Sequence, residues 1–166
     1  MSGYAIDTNV LIVGSILSPG ATDAPVEVQR QVHEWLKAFA ASQETVLLLD
    51  AHEAITGEYR RHLTEQHYGL QAYIEKCSRN QVRFYAIDFD GDGKAQLPAP
   101  LDSVVHDRDD RKFVAVALKN GRGARIVNAV DSDWFDWTPA LAAEGLVIEQ
   151  VAEAWCRAKY EARTRR

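Results

Sequence analysis

The stretch Tyr4-Ala5-Ile6-Asp7-Thr8-Asn9-Val10-Leu11-Ile12 decides the fold. A short apolar run stops abruptly on an aspartate, and a second apolar run resumes after two polar residues. The first reads as a buried strand and the second as a helix, so the chain opens on a strand–acid–helix step. The alternation repeats further on. Residues 26–41 carry Val28, Val32, Trp35, Leu36 and Phe39 at the three- and four-residue steps of one helical face. Pro25 suits the start of that helix, after Ser18-Pro19-Gly20 has broken the preceding pattern. Residues 45–49 read as a buried strand, and Asp50 as an N-cap with Glu53 completing a capping box for a helix reaching about His62. The next helix carries Leu70, Tyr73, Ile74 and Cys77 on one stripe. Residues 81–87 form a strand, 110–120 a helix closed by Gly121, and 126–130 and 146–149 two more strands. Short apolar strands alternating with helices predict a three-layer α/β/α domain with a central, mostly parallel sheet. Residues 1–150 make its body, and 151–166 an amphipathic helix with a basic end belonging to the same domain.

Composition narrows the function. The 166 residues are 46% hydrophobic and 26% charged, which suits one ordinary domain and excludes disordered and fibrous classes. A net charge of −5 excludes a generally basic nucleic-acid coat protein. Cys77 and Cys156 are too few for a disulfide framework and lack metal-ligand spacing. The amino-terminal residues do not form a signal peptide, and no apolar run approaches the roughly 20 residues that span a bilayer. The expectation is a cytoplasmic protein with no membrane partner.

The informative residues are acids in places where acids are costly. Asp7 and Asp131 each follow a predicted buried strand, at the sheet edge where open α/β sheets bind ligands. Glu58 shares a helical stripe with Ile55, Tyr59 and His62. Asp110 precedes Phe113, Val114 and Ala117 on the inward face of its helix. Burying unpaired carboxylates is unfavourable, and no lysine or arginine recurs at matching inward positions. A divalent cation answers this, and hard oxygen donors without histidine or cysteine suit Mg²⁺ or Mn²⁺. Each acid also has an ordinary reading. Asp7 can cap a helix, Asp107, Asp109 and Asp110 can complement a helix dipole, Glu58 can lean to solvent, and Asp131 and Asp133 can be turn residues. Their shared edge favours the metal.

At these residues the chain resembles the PIN-domain ribonucleases. Residues Tyr4 to Ile12 resemble that family's opening strand and first aspartate, and Ile55-Thr56-Gly57-Glu58-Tyr59-Arg60-Arg61-His62-Leu63 its second acidic motif. Asp107-Arg108-Asp109-Asp110-Arg111-Lys112-Phe113 is similar to the third motif, and Ile126-Val127-Asn128-Ala129-Val130-Asp131-Ser132-Asp133-Trp134 to the fourth. Asn128-Ala129 departs from the hydroxyl residue common beside the fourth acid. The resemblance implies a Mg²⁺- or Mn²⁺-dependent endoribonuclease. Asp7, Glu58, Asp110 and Asp131 are its catalytic and metal-binding acids, with Asp133 the alternative fourth ligand. Water would attack phosphorus in line, leaving a 5′-phosphate and a 3′-hydroxyl. Thr8, Asn9, Arg111 and Lys112 are candidate substrate contacts. Partners implied are RNA, an antitoxin protein that covers the acidic pocket, and a second copy, with the helices of Trp35 and Trp155 as candidate faces. The alternative is a catalytically silent module of the same fold that binds RNA or protein. Trp134, Trp137 and Tyr59 can stack on bases or fill the core, the core being the commoner use.

Other motifs are decoys. Asp88-Phe89-Asp90-Gly91-Asp92-Gly93 resembles a calcium loop but has Ala99 where a bidentate glutamate belongs, so an acidic turn is expected. Asp88 also lacks the hydroxyl residue at position 92 that a haloacid-dehalogenase-type phosphatase needs. His52-Glu53 has Thr56 in place of a zinc protease's second histidine.

Overall fold

A parallel sheet needs a long crossover between neighbouring strands, and helices supply each one here. The computed structural model describes residues 1–18 and 20–166; Pro19, in the predicted chain break, lies outside the described residues. The strands are β1 (Ser2–Ile6), β2 (Thr45–Asp50), β3 (Val82–Tyr85), β4 (Arg125–Asn128) and β5 (Val147–Gln150). They form one all-parallel sheet in the order β3-β2-β1-β4-β5, with Tyr4 in register with Leu47 on one side and Arg125 on the other. Eight helices flank it among the described residues: α1 (Thr8–Gly14), α2 (Val26–Ala41), α3 (Ala54–His62), α4 (Tyr68–Ser78), α5 (Leu101–Val104), α6 (Arg111–Asn120), α7 (Asp133–Ala143) and α8 (Glu153–Thr164). The fold is the three-layer α/β/α arrangement that the alternation predicts.

The chain moves outward from β1 to β3 and then returns to lay β4 on the other side of β1. Right-handed crossovers therefore put the helices on opposite faces. Helices α1, α2 and α4 pack on one another, while α6 crosses β1, β2, β3 and β4. The reversal opens a crevice between the carboxyl ends of β1 and β4, which is where Asp7 stands. None of the described helices is long and apolar enough to cross a membrane.

Several local expectations need correction. Asp50 does cap α3, but from the last position of β2: its carboxylate accepts from the amides of His52, Ala54 and Ile55 at 3.0, 2.9 and 2.8 Å. No capping box forms, because Glu53 is the residue that turns left-handed (φ 63°) to start the helix and its side chain makes no capping bond. Amide bonds to a buried carboxylate contribute about 1.5–3 kcal/mol each at most, and they share one group. Asp50→Ala is expected to lower unfolding stability by about 3 kcal/mol in urea titration, with no change in metal binding.

Helix α4 buries Leu70 and Tyr73 as expected, but it also buries Lys76 completely, leaving Ile74 and Cys77 half-exposed. The Lys76 ammonium donates to the carbonyls of Ser42 and Thr45, the Thr45 hydroxyl and the Gln81 side chain, at 2.7–3.2 Å. Ser42 after α2, Thr45 at the start of β2 and Gln81 just before β3 present these acceptors together, and a long cation satisfies them. Gly69 of α4 is required by close approach: a Cβ there would overlap the carbonyl of Leu11. Helix α7 is not expected from the pattern, since Pro139 lies inside it and proline ordinarily ends a helix. Trp35, on a candidate dimer face, stacks on Phe39 and donates to Glu149 at 2.7 Å, so its polar edge is used within the fold. Residues 88–96 form the expected acidic turn, closed by a bridge between Phe89 and Ala95. Arg108 is ion-paired with Asp90 and Asp92 there.

Candidate metal centre

Asp7 follows the last residue of β1, and its backbone N–H is bonded to the Val127 carbonyl of β4, which fixes it at the crevice. One carboxylate oxygen caps α1 by accepting from the Asn9 amide at 3.1 Å; the other accepts from the indole N–H of Trp134 at 2.8 Å. The capping reading of Asp7 is thus correct for one oxygen. Tyr59 of α3 donates its hydroxyl to the Ile6 carbonyl at 2.6 Å, pinning the strand end from the other side.

Asp110 occupies the N-cap position of α6, yet its side chain makes no capping bond. Among the described residues its carboxylate has neither a hydrogen-bond donor nor an ion-pair partner, although the residue is only 9% exposed. Asp131 lies in the turn between β4 and α7, one oxygen accepting from the Asp133 amide at 2.9 Å. Asp7, Asp110 and Asp131 each offer an oxygen, and these lie within 4.8 Å of one another. Burial is the main cause that raises the carboxyl pKa of all three, and repulsion adds to it: Asp7 is pushed up to about 7 with help from Asp131, Asp110 to about 9 with help from Asp7, Asp107 and Asp131, and Asp131 upward with help from Asp133 and Asp107.

This arrangement fits a hard divalent cation. Two oxygens bound to one Mg²⁺ are at most about 4.2 Å apart, twice a metal–oxygen distance of about 2.1 Å. Three oxygens on one octahedral ion include cis pairs about 3.0 Å apart, so side chains now within 4.8 Å of one another close by up to about 2 Å when an ion binds. The donor set is entirely carboxylate, and among the described residues the Asp110 oxygens have no positive neighbour in hydrogen-bond contact.

Glu58 is not in this group. Thr8 donates its hydroxyl to one of its oxygens at 2.5 Å, and the ammonium of Lys112 is ion-paired to the other. The sequence reading holds that no lysine matches the inward acids; Lys112 does, because it lies one position past the start of α6 on the turn that faces α3. Its side chain is 10% exposed, and it also donates to the Asp109 carbonyl. Asp133 likewise stands outside the cluster. Arg163 of α8 is ion-paired to it, and His106 Nε2 lies 3.5 Å from its other oxygen. Between the two alternatives for the fourth motif, Asp131 therefore joins the cluster. The basic end of α8 is docked on α7, where Arg163 also reaches Asp136 at 2.8 Å.

The candidate substrate contacts are largely committed elsewhere. Thr8 serves Glu58. Asn9 bridges α1 to the β4 turn, donating to the Asn128 side-chain oxygen at 3.0 Å and accepting from the amides of Ala129 and Val130. Arg111 donates to the carbonyls of Val105 and Asp102, bracing the loop after α5.

Two residues shape the site in roles not read from the sequence, although Trp134, Trp137 and Tyr59 fill the core, the commoner of the two uses expected. Trp134 is fully buried and orients Asp7; the steps from Trp134 to Trp137 and Leu141 mark a helical face, and a buried indole N–H needs an acceptor. Asn128 holds the turn after β4. It accepts from the Asp131 amide at 3.1 Å and donates to the Asp131 carbonyl at 2.8 Å and to Gln150 at 2.7 Å. No family model, no characterised protein and no solved structure matches this chain.

Proposed function

We propose that the protein is a Mg²⁺- or Mn²⁺-dependent endoribonuclease that hydrolyses RNA phosphodiester bonds with water. One observation carries the reading: three aspartates from distant parts of the chain converge at the crevice of a parallel sheet, and one of them, Asp110, lacks a hydrogen-bond donor among the described residues. The choice of RNA comes from the resemblance to the PIN-domain ribonucleases. When bound, a divalent cation supplies Lewis acidity toward phosphate oxygens and a more acidic water.

The chain's own residues do the rest. Trp134 and Asn9 hold both oxygens of Asp7 in place, so no reorganisation of that group is needed. Asn128 and Asn9 fix the turn that presents Asp131. Arg61, Lys94 and Arg108 line a cleft beside Glu58 and Lys112; Lys94 is paired with Asp109 and Arg108 with Asp90 and Asp92, so Arg61 is the cation of the three left, among the described residues, to meet a phosphate next to the acids. A cytoplasmic setting, an antitoxin over the acidic crevice and pairing with a second copy accompany this reading through the resemblance alone.

One observation favours the silent-module alternative: Glu58 is already neutralised by Lys112, so the site has three free acids. Incubation of end-labelled RNA with Mg²⁺ separates the two. Expected are internal cuts with 5′-phosphate and 3′-hydroxyl ends, abolished by EDTA. RNA binding without cutting would establish the module instead.

A further inference from the structure

Glu58 and Lys112 form a nearly buried ion pair against the aspartate cluster, with side chains 14% and 10% exposed. Both Glu58 oxygens have donors, Thr8 on one and Lys112 on the other. The Lys112 ammonium is itself held by the Asp109 carbonyl and lies 4.9 Å from the centre of the Phe113 ring. Breaking such a pair by removing one partner leaves an uncompensated buried charge, which is strongly unfavourable. Asp7, Asp110 and Asp131, by contrast, have no cation in contact among the described residues.

We infer that the site binds a single divalent ion through Asp7, Asp110 and Asp131, and that Glu58 is not a ligand. Lys112 is a fixed monovalent cation that occupies the side of the site where a fourth acid would otherwise recruit a second ion. Glu58 is then a positioning residue. It holds Thr8 at the start of α1, next to Asp7, and anchors Lys112 at the start of α6, two residues from Asp110. This inference rests on the cluster binding a divalent cation, as proposed above, but not on catalysis. It departs from the four-ligand expectation drawn from the resemblance.

Titration with Mn²⁺, followed by calorimetry and by the paramagnetic resonance of free Mn²⁺, tests it on the intact chain. The wild type is expected to bind one ion. The double variant Glu58→Gln/Lys112→Met replaces a neutral pair by another neutral pair and is expected to bind one ion within about threefold of wild-type affinity. Asp110→Asn is expected to weaken binding at least about thirtyfold, since losing even a residue that only supports a ligand costs about ten- to a hundredfold. Two ions per chain in the wild type, or a loss in the double variant as large as in Asp110→Asn, would overturn the inference while leaving the proposed function standing. No binding to the wild type would overturn both. The stoichiometry of the wild type needs no variant, so the inference stays open to refutation if the double variant does not fold.

Discussion

Asp110→Asn is expected to lower Mg²⁺-dependent RNA cleavage by at least about a thousandfold while making the metal-free protein more stable. The two effects have one cause. Asp110 is buried, lacks a donor, and faces Asp7 and Asp131. Its carboxylate therefore raises the energy of the folded chain until a cation arrives. An amide of the same shape removes the charge that binds metal and also removes the repulsion. Loss of a group acting directly on the reacting charge commonly costs about a hundred- to a thousandfold in rate, and loss of the ion adds to that. Relief of the buried charge is worth about 2 kcal/mol, after allowing for the amide's own unmet hydrogen bonds. For a chain of this length that corresponds to a rise of about 4–8 °C in melting temperature. Cleavage assays and calorimetry without metal check the pair. Unimpaired cleavage would reject the assignment of Asp110 to the site, and a lower melting temperature would reject the account of its burial.

The second large effect is a fall in stability with rising pH that bound metal opposes. Asp7 and Asp110 have folded-state pKa values near 7 and 9, above the ordinary 3.8, and Asp131 is raised in the same direction. Lys112 opposes the shift at Asp110 and Lys159 that at Asp131, without cancelling either. Above the ordinary value, the folded protein holds protons that the unfolded chain has released, so stability falls as pH rises. This contribution is fully present below about pH 4 and is lost progressively as pH passes through 7 and 9. Divalent ions bind the deprotonated form and displace those protons. Without metal, the melting temperature is expected to decline from pH 5 to pH 9. Mn²⁺ at a hundredfold excess over its dissociation constant adds about 2.7 kcal/mol, or about 5–10 °C. The shift at pH 8 is expected to exceed that at pH 5 several-fold, with proton release measurable by calorimetry in two buffers. Equal shifts at both pH values, or a full shift retained in Asp110→Asn, would reject the cluster as the binding site.

The mismatches between expectation and structure have specific physical origins. The stripe through Leu70 and Tyr73 was legible because helix packing repeats every three or four residues. Lys76 on the same helix was not, because its burial depends on carbonyls supplied by the turn before β2. Helix α7 stayed hidden behind Pro139, and with it the partner of Asp7. The same limitation applies to Lys112: its neighbour in sequence is Arg111, but its partner is Glu58, and only the packing of α3 beside α6 joins them.

The sequence by itself determined the strands, the helices other than α5 and α7, the parallel sheet, and the positions of Asp7 and Asp110 at element ends, since each follows from local apolar periodicity. Only the tertiary structure decided that Asp131 joins them while Asp133 turns to Arg163, and that Glu58 is held by Lys112. Local pattern reports which face of an element is buried. Which charges meet across the crevice is set by the crossover from β3 to β4 and by the docking of α8, and these bring together residues that are far apart in the chain.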